Sequence, residues 1–287
     1  MPTPSTRDTE TRTITLGHSP DPDDAFMFHG LLSGKVPCEG LRFEQVIEGI
    51  ESLNRKAIRG EIDFTAASVH ACGVIGDGYR ILDTGAAMGD GYGPVLVSKE
   101  PMRLEQLSAT QVAIPGILTT AYLTLRLAAR QFQFKVVPFD QVLEDVEQGH
   151  SGAALVIHEG QVTYESRGFH KILDLGEWWK ERTGLPLPLG VNIVRAGLGD
   201  ETIRSIGRAL HESVEYAFAH RAEALAHARE FGRGLDEPTT DRFVGMYVND
   251  WTLSMGEKGR AAIERLLSEG REKGLIPDKP GPVFAGV

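Results

Sequence analysis

The stretch AALVIHEG, residues 153–160, points most directly to the fold class of this chain. Its first five residues are all apolar, as expected of a strand whose two faces are both covered. Such strands are typical of α/β proteins, in which helices pack on both faces of a sheet. The stretch also brings His158 and Glu159 to the C-terminal end of that strand, where α/β proteins place functional groups.

Short β-rich runs alternate with amphipathic segments on both sides of this stretch, which favours an α/β fold. The pattern predicts strands over residues 12–16, 41–47, 64–69, 80–82, 95–98, 111–114, 135–138, 153–157 and 191–194. It predicts helices over residues 21–31, 50–58, 119–130, 141–148, 200–220, 221–231, 240–248 and 257–273. The chain therefore consists of two successive α/β series followed by a helical tail.

The helical tail needs a sheet to pack on, and the simplest arrangement returns it to the first α/β lobe. We therefore predict a two-lobed α/β protein with a double crossover and a central cleft. Its discontinuous larger lobe comprises residues 1–98 plus 195–287, and the inserted smaller lobe comprises residues 99–194. The crossings are expected near residues 97–100 and 190–195. A ligand is expected in the cleft, where C-terminal ends of strands meet N-termini of helices.

Composition argues against several classes of function. The 287 residues carry 30 Lys and Arg against 40 Asp and Glu, a net charge of -10 that disfavours nucleic-acid binding. The two cysteines form neither a disulfide framework nor a zinc-binding pattern. No run approaches the roughly 18 apolar residues of a membrane span, and the polar first ten residues predict a frayed tail rather than a secretory signal. These features predict a cytoplasmic protein with a small-molecule partner and leave its oligomeric state open.

An acidic loop, SPDPDDAF at residues 19–26, follows the first predicted strand. Asp21 suits the N-cap of the next helix, Pro22 its first position, and Asp23 and Asp24 its first turn. Clustered carboxylates also suggest a metal site. Nothing else in the chain completes a ligand set, so we predict no metal.

Two other strand ends are candidates for ligand contacts. The strand over residues 64–69 ends in Ala66, Ala67 and Ser68, and small residues let a ligand approach the backbone. Thr119 and Thr120 begin a helix directly after a strand, and a helix N-terminus is a natural site for a carboxylate. The alternative for each is structural, with Ser68 or one threonine acting only as a helix cap.

His158 is the candidate general base, because histidine is the side chain best suited to accept a proton near neutral pH. A hydrogen-bonded structural histidine is the alternative. The chain contains no Walker pattern, no G-x-G-x-x-G after a strand and no G-x-S-x-G, so nucleotide chemistry and nucleophilic hydrolysis are disfavoured. We predict no cofactor.

Seven stretches together resemble the 1,4-dihydroxy-6-naphthoate synthase family of the futalosine route to menaquinone. They occur in the family's order: SPDPDDAFMFHGL, ESLNRKAIRGE, GYGPVLVSKE, VAIPGILTTAYLTL, LVIHEGQVTY, LDLGEWWKERTGLPLPLG and YVNDWTLSMGEKG. The run LGEWWKERTGLPLPLG is the most specific of them.

The resemblance implies the two-lobed fold of type 2 periplasmic binding proteins. It also implies a carbon–carbon lyase that cleaves cyclic dehypoxanthine futalosine to 1,4-dihydroxy-6-naphthoate without an organic cofactor or metal. The family's proton acceptor falls on His158. With Asp24 of the acidic loop added, the expected contacts to a carboxylate substrate are Ala66, Ala67, Ser68, Thr119, Thr120 and Asp24.

This sequence departs from the family's usual pattern near the expected cleft. The family usually has Cys, Asn and Thr where this chain has Asp21, Asp23 and Ala25, a Lys at Ala66 and a His at Leu118. Each change alters a polar group that bears on the choice of substrate. The alternative functions are a non-catalytic solute-binding protein of the same fold and a chorismate dehydratase of the same pathway. The I-H-E and TGLPLPLG runs favour the synthase.

Overall fold

A computed structural model describes residues 11–129 and 131–286 as two mixed β-sheets with helices packed around them. The predicted tail over residues 1–10 and the predicted helix end at Arg130 lie outside these ranges. The strands are β1 Arg12–His18, β2 Leu41–Ile47, β3 Phe64–Ser68, β4 Tyr79–Ile81, β5 Ala87–Gly89, β6 Val95–Ser98, β7 Gln111–Ile114, β8 Gln133–Val136, β9 Ala153–Val156, β10 His170–Asp174, β11 Leu187–Arg195 and β12 Val283–Phe284. The helices are α1 Pro22–Leu32, α2 Ile50–Arg59, α3 Val69–Ile75, α4 Thr120–Ala128, α5 Val142–Glu147, α6 Leu175–Thr183, α7 Asp200–Ala219, α8 Arg221–Arg229, α9 Glu237–Tyr247, α10 Asp250–Leu253 and α11 Gly256–Glu272.

The two sheets confirm the predicted α/β class and its two-lobed form. The larger sheet has the order β12-β4-β11-β3-β1-β2, with β5 also paired to β11. The smaller sheet has the order β10-β6-β9-β7-β8. Strand β9, predicted from its apolar run, is buried along its whole length. Ala153 and Leu155 face one hydrophobic cluster while Ala154 and Val156 face another, because successive side chains point to opposite faces of a sheet.

The two chain crossings lie earlier than the sequence predicted. The chain leaves the larger sheet after β5 and enters the smaller one at β6, so it crosses between Gly89 and Val95. It returns between Asp174 and Leu187. The crossings expected near residues 97–100 and 190–195 instead fall on β6 and β11, whose apolar runs would suit either sheet. The lobe to which β6 or β11 belongs is decided only by the strands with which it pairs. The lobe limits 1–98, 99–194 and 195–287 stay a prediction.

The helical tail packs on the larger lobe. Helix α7 turns Ile206, Leu210 and Val214 toward a cluster that contains Leu16 of β1 and Phe28 of α1. Helix α11 contributes to the core between the sheets. Within the described ranges, no helix combines the length and the apolar character needed to cross a bilayer.

Candidate active site

A cavity of about 120 Å³ lies between the two sheets. Its walls come from the acidic loop after β1, the end of β3, the first turn of α4, and strand β11. The structure brings to this one cavity all six residues expected from the sequence to contact substrate: Asp24, Ala66, Ala67, Ser68, Thr119 and Thr120.

The floor of the cavity is a patch of small residues on two antiparallel strands. Ala66 of β3 lies opposite Asn192 of β11, and Ser68 lies opposite Gly190. These four residues share one face of the sheet, because alternate residues of a strand point the same way. Ala66 has a short side chain and Gly190 has none, so a flat ligand can approach the backbone at these two positions.

The two threonines at the start of α4 use their hydroxyl groups within the protein. Thr119 caps the helix by accepting from the Tyr122 N–H (3.2 Å), and it donates to the Gly116 carbonyl (2.9 Å). The Thr120 hydroxyl donates to the Leu189 carbonyl (2.6 Å) and accepts from the His70 N–H (3.2 Å). Neither hydroxyl proton is therefore free for a ligand. The donors left at this end are backbone N–H groups of the first turn, which have no partner within a helix.

Replacing Thr120 by valine is expected to lower the free energy of unfolding by about 2–4 kcal/mol, because the buried His70 N–H and the partly buried Leu189 carbonyl both lose their partner. Thr124→Val is the matched control on the same helix. Among the described residues the Thr124 hydroxyl bonds only the Thr120 carbonyl, one turn back, so this variant should lose less than about 1 kcal/mol. Chemical denaturation of both variants and of the wild-type protein measures the two losses in the free energy of unfolding. Equal losses would contradict a specific role for the contact between Thr120 and Leu189.

Ser68 keeps a hydroxyl proton for a ligand. Asn54 of α2 donates from Nδ2 to Ser68 Oγ (3.0 Å) and accepts the Ser68 N–H at Oδ1 (2.9 Å). Both side chains are buried, and within the described ranges the Ser68 hydroxyl donates to no protein group. The sequence analysis missed Asn54. The available signal was a polar residue beside Leu53 and Ala57 on the apolar face of α2.

The acidic loop is held by hydrogen bonds between its own residues. Asp24 accepts the Ser19 N–H (2.7 Å), and Asp21 accepts the Ser19 hydroxyl (3.0 Å). Asp21 stands at the N-cap position of α1, and its backbone carbonyl accepts the Ala25 N–H (3.1 Å), but its carboxylate accepts no N–H of that helix, which corrects its predicted capping role. Burial raises the pKa of Asp23 well above its usual range, and the charges of Asp24 and Asp21 raise it further. In the part of the chain that the structure describes, no cluster of His, Cys, Asp and Glu is arranged to hold a metal ion.

His158 is not among the residues that line the cavity; it directly follows Ile157, which does line it. The Gly160 N–H donates to His158 Nδ1 (2.9 Å), and Glu159 Oε2 lies 3.5 Å from the same nitrogen. Nε2 is buried without a hydrogen-bond partner among the described residues. The ring packs edge-on against Phe139, with the ring centres 5.8 Å apart. His158 therefore has one nitrogen held by the backbone and the other unused.

Arg233, in the loop between α8 and α9, joins the two sides of the cleft next to His158. Its Nη1 donates to both Glu159 oxygens (2.9 and 2.8 Å), and its Nη2 donates to Asp21 (2.9 Å) and to the Pro20 carbonyl (3.0 Å). The guanidinium also lies 4.8 Å from the centre of the Phe139 ring. The backbone of Arg233 adopts a positive φ of 48°, which is uncommon for a residue with a side chain.

Arg233, Glu159 and Asp21 form a charged bridge across the cleft, and their charges shift the pKa values of the two carboxylates. Burial by itself raises the pKa of Glu159, but the adjoining His158 ring and the Arg233 guanidinium outweigh it and hold that pKa below its usual value. Burial raises the pKa of Asp21 despite the nearby Arg233. The sequence analysis missed Arg233, because an arginine between two glycines in a loop gives no local sign of its distant partners.

Two sheets joined by a double crossover, with a cavity between them, define the class of periplasmic-binding-protein-like folds. The alkanesulfonate-binding protein SsuA from Xanthomonas axonopodis pv. citri, solved bound to MOPS, has a TM-score of 0.70. It is 12% identical and covers 93% of this chain and 94% of its own, so the likeness shows the fold alone. Protein AF1704 from Archaeoglobus fulgidus has a TM-score of 0.89 at 44% identity and covers 94% of this chain and 100% of its own.

Sequence comparison narrows this class to one family. A family profile described as "Menaquinone biosynthesis" matches residues 14–272. The 1,4-dihydroxy-6-naphtoate synthase of Thermus thermophilus is 41% identical over 271 residues, which cover 94% of this chain and 98% of that protein. The synthase of the same name from Streptomyces coelicolor is 34% identical, covering 92% and 95%. This chain therefore belongs to the 1,4-dihydroxy-6-naphthoate synthase family of menaquinone biosynthesis enzymes, which confirms the resemblance found in the sequence.

Proposed function

We propose that this protein is a carbon–carbon lyase that converts cyclic dehypoxanthine futalosine to 1,4-dihydroxy-6-naphthoate, with His158 as the general base. The observation that carries the proposal is the buried His158 ring beside the cleft, whose Nε2 has no hydrogen-bond partner in the described chain. A structural histidine normally satisfies both of its buried nitrogens. An unused nitrogen at this place suits a group that exchanges a proton with a substrate.

The substrate carboxylate is assigned to the donor end of the cavity. The free N–H groups in the first turn of α4 carry a partial positive charge, and the Ser68 hydroxyl adds a further donor. In this proposal the backbone, rather than the threonine hydroxyls, recognises the carboxylate. All six expected contact residues line the cavity that contains this end.

The base function requires a particular tautomer of His158. While Nδ1 accepts the Gly160 N–H, the neutral ring carries its proton on Nε2 and has no lone pair there to offer. A small rotation of the ring would turn Nδ1 from the Gly160 N–H toward Glu159 Oε2, 3.5 Å away, which favours the other neutral tautomer. That tautomer forms when Nε2 gives up its proton and Nδ1 takes one up, which leaves the lone pair on Nε2. Glu159 then acts as the orienting carboxylate, and ligand binding must favour this second arrangement.

Proton removal by His158 starts the cleavage of the carbon–carbon bond. The aromatic ring gained by the product helps to drive the reaction forward. No step in this proposal needs an organic cofactor or a metal ion.

Incubation of the purified protein with cyclic dehypoxanthine futalosine tests the function directly. Mass spectrometry should detect 1,4-dihydroxy-6-naphthoate. Unchanged substrate together with tight binding of another solute would favour the solute-binding alternative, and dehydration of chorismate would favour the dehydratase. The cytoplasmic location expected from the sequence stays a prediction, which cell fractionation tests.

Ligand binding is expected to be coupled to opening and closing of the lobes. The cavity of about 120 Å³ lies between residues of both lobes. We therefore expect the lobes to move apart to admit the substrate and to close around it to exclude water. Small-angle scattering should give a smaller radius of gyration with saturating 2-naphthoate than without ligand. An unchanged radius at saturation would count against lobe closure.

A further inference from the structure

The floor of the cavity has two polar corners with opposite hydrogen-bonding character. Ser68 and Asn192 are diagonal neighbours across strands β3 and β11, separated by roughly 7–8 Å in such pairs. Ala66 and Gly190 occupy the other two corners of the same patch. Ser68 offers a hydroxyl proton. Between Ser68 and Asn192 lies the apolar surface of Ala66 and Gly190, from which no long side chain projects.

Asn192 is held so that one of its atoms is left unused. Its side chain is almost fully buried, and Nδ2 donates to the Gly85 carbonyl (3.0 Å). Gly85 has a positive φ of 86°, and a Cβ there would lie 2.4 Å from Nδ2, so only glycine allows this contact. Oδ1 has no hydrogen-bond partner among residues 11–129 and 131–286, although Asn192 lines the cavity. A buried amide oxygen without a partner is costly, so a donor on a bound ligand would relieve that cost.

The surroundings of Asn192 contain a sulfur atom and a carboxyl group. Met27 of α1 contacts Asn192 Nδ2 through its sulfur atom (3.6 Å). Asp23 lies one helical turn before Met27 on the same face of α1, and it also lines the cavity. The opposite end of β11 meets the first turn of α4, where Thr120 bonds the Leu189 carbonyl. The cavity therefore has N–H donors at the α4 end and oxygen acceptors at the α1 end.

We propose that Asn192 Oδ1 is an acceptor subsite for a hydroxyl group on an aromatic carboxylate ligand. The ring system lies flat over Ala66 and Gly190, its carboxylate points to Ser68 and the start of α4, and a ring hydroxyl donates to Asn192. This inference rests on the proposed function for the identity of the ligand. Beyond that function, it assigns to Asn192 the distinction between a hydroxylated ring and an unsubstituted one.

The test compares two ligands that share the carboxylate and the bicyclic ring. Titration calorimetry, under exclusion of oxygen, measures the affinities of 1,4-dihydroxy-6-naphthoate and of 2-naphthoate, which lacks both hydroxyls. The wild-type protein should bind the dihydroxy compound roughly ten- to a hundredfold more tightly, because only that compound satisfies Asn192. The Asn192→Ala and Asn192→Leu variants should bind the two ligands within about threefold of each other while keeping the wild-type affinity for 2-naphthoate.

Three outcomes would overturn the subsite. One is a hydroxyl preference that persists in both variants, and another is an equal loss of affinity for both ligands, which would indicate general damage to the cavity. The third is a wild-type protein without any hydroxyl preference, a result that does not depend on the variants folding. Turnover of cyclic dehypoxanthine futalosine by the wild-type protein separates the two proposals. A hydroxyl preference that depends on Asn192 would support the subsite even if no naphthoate were formed.

Discussion

The His158→Asn variant is expected to turn over its substrate about 10²- to 10⁴-fold more slowly than the wild-type protein, the usual loss when a general base is removed. Asparagine keeps the approximate size of the side chain, and its amide can still accept the Gly160 N–H. It cannot take up a proton near neutral pH. We therefore expect kcat to fall, the affinity for 2-naphthoate to stay within about tenfold and the melting temperature to change little.

His150→Asn is the matched control for this experiment. His150 belongs to the same lobe but is largely exposed, so its replacement should leave turnover unchanged. Single-turnover rates, ligand affinity and melting temperature are measured on one preparation of each variant. A folded His158→Asn protein with full activity would remove His158 from the mechanism. A large loss of stability with normal turnover by the folded fraction would instead identify a structural histidine.

The Arg233→Met variant is expected to lose about 2–4 kcal/mol of unfolding free energy, because it leaves the buried Glu159 carboxylate without its cation. Methionine keeps part of the apolar stem but makes none of the four hydrogen bonds of the guanidinium. The loop of Arg233 would then no longer be tied to Glu159 beside His158. We expect kcat/KM to fall with stability, and the radius of gyration in the presence of 2-naphthoate to exceed that of the wild-type protein.

Arg229→Met is the matched control for the bridge. Arg229 ends the helix that precedes the same loop and pairs with Glu237, and both side chains are largely exposed. Such an exposed ion pair contributes roughly 0–1 kcal/mol to the free energy of unfolding. The stability and the kcat/KM of this variant should therefore stay close to those of the wild-type protein. Combining Arg233→Met with Glu159→Gln should cost less than the sum of the two single changes, since the double variant has no unpaired carboxylate at position 159. Additive losses would mean that Arg233 and Glu159 act independently.

Acid should weaken the same bridge. The folded protein holds the pKa of Glu159 below its ordinary value of 4.5, so the ionised group stabilises the fold above that value. This contribution is lost as the pH falls through the lowered pKa and Glu159 takes up a proton. The stability difference between the wild-type protein and Arg233→Met should therefore shrink in acid. Urea titrations at a series of pH values measure this difference, and one that grew on acidification would contradict the assignment.

Helices whose signal is local were predicted most accurately. The apolar spacing of α2 and its end at Gly60, which has a positive φ of 69°, depend only on neighbouring residues. Helix α3 was expected only in the alternative that makes Ser68 a helix cap, because its seven residues, VHACGVI, are apolar on nearly every side and show no helical period. Helix α6 was missed although Asp174 caps it by accepting from the Gly176 and Glu177 N–H groups. Aspartate before a helix and Gly184 after it were signals that the sequence analysis did not use.

The sequence by itself determined the α/β class, the family and six of the residues that line the cavity, because each depends on residue types and spacings within short stretches. Only the tertiary structure decided which sheet contains β6 and which groups remain free to bind a ligand. The threonine hydroxyls are occupied by Gly116 and Leu189, whereas Asn192 Oδ1 is left without a partner in the described chain. Arg233 meets Glu159 and Asp21 across 74 and 212 residues of sequence. No local pattern encodes such contacts, because they form only when the two lobes have folded and come together.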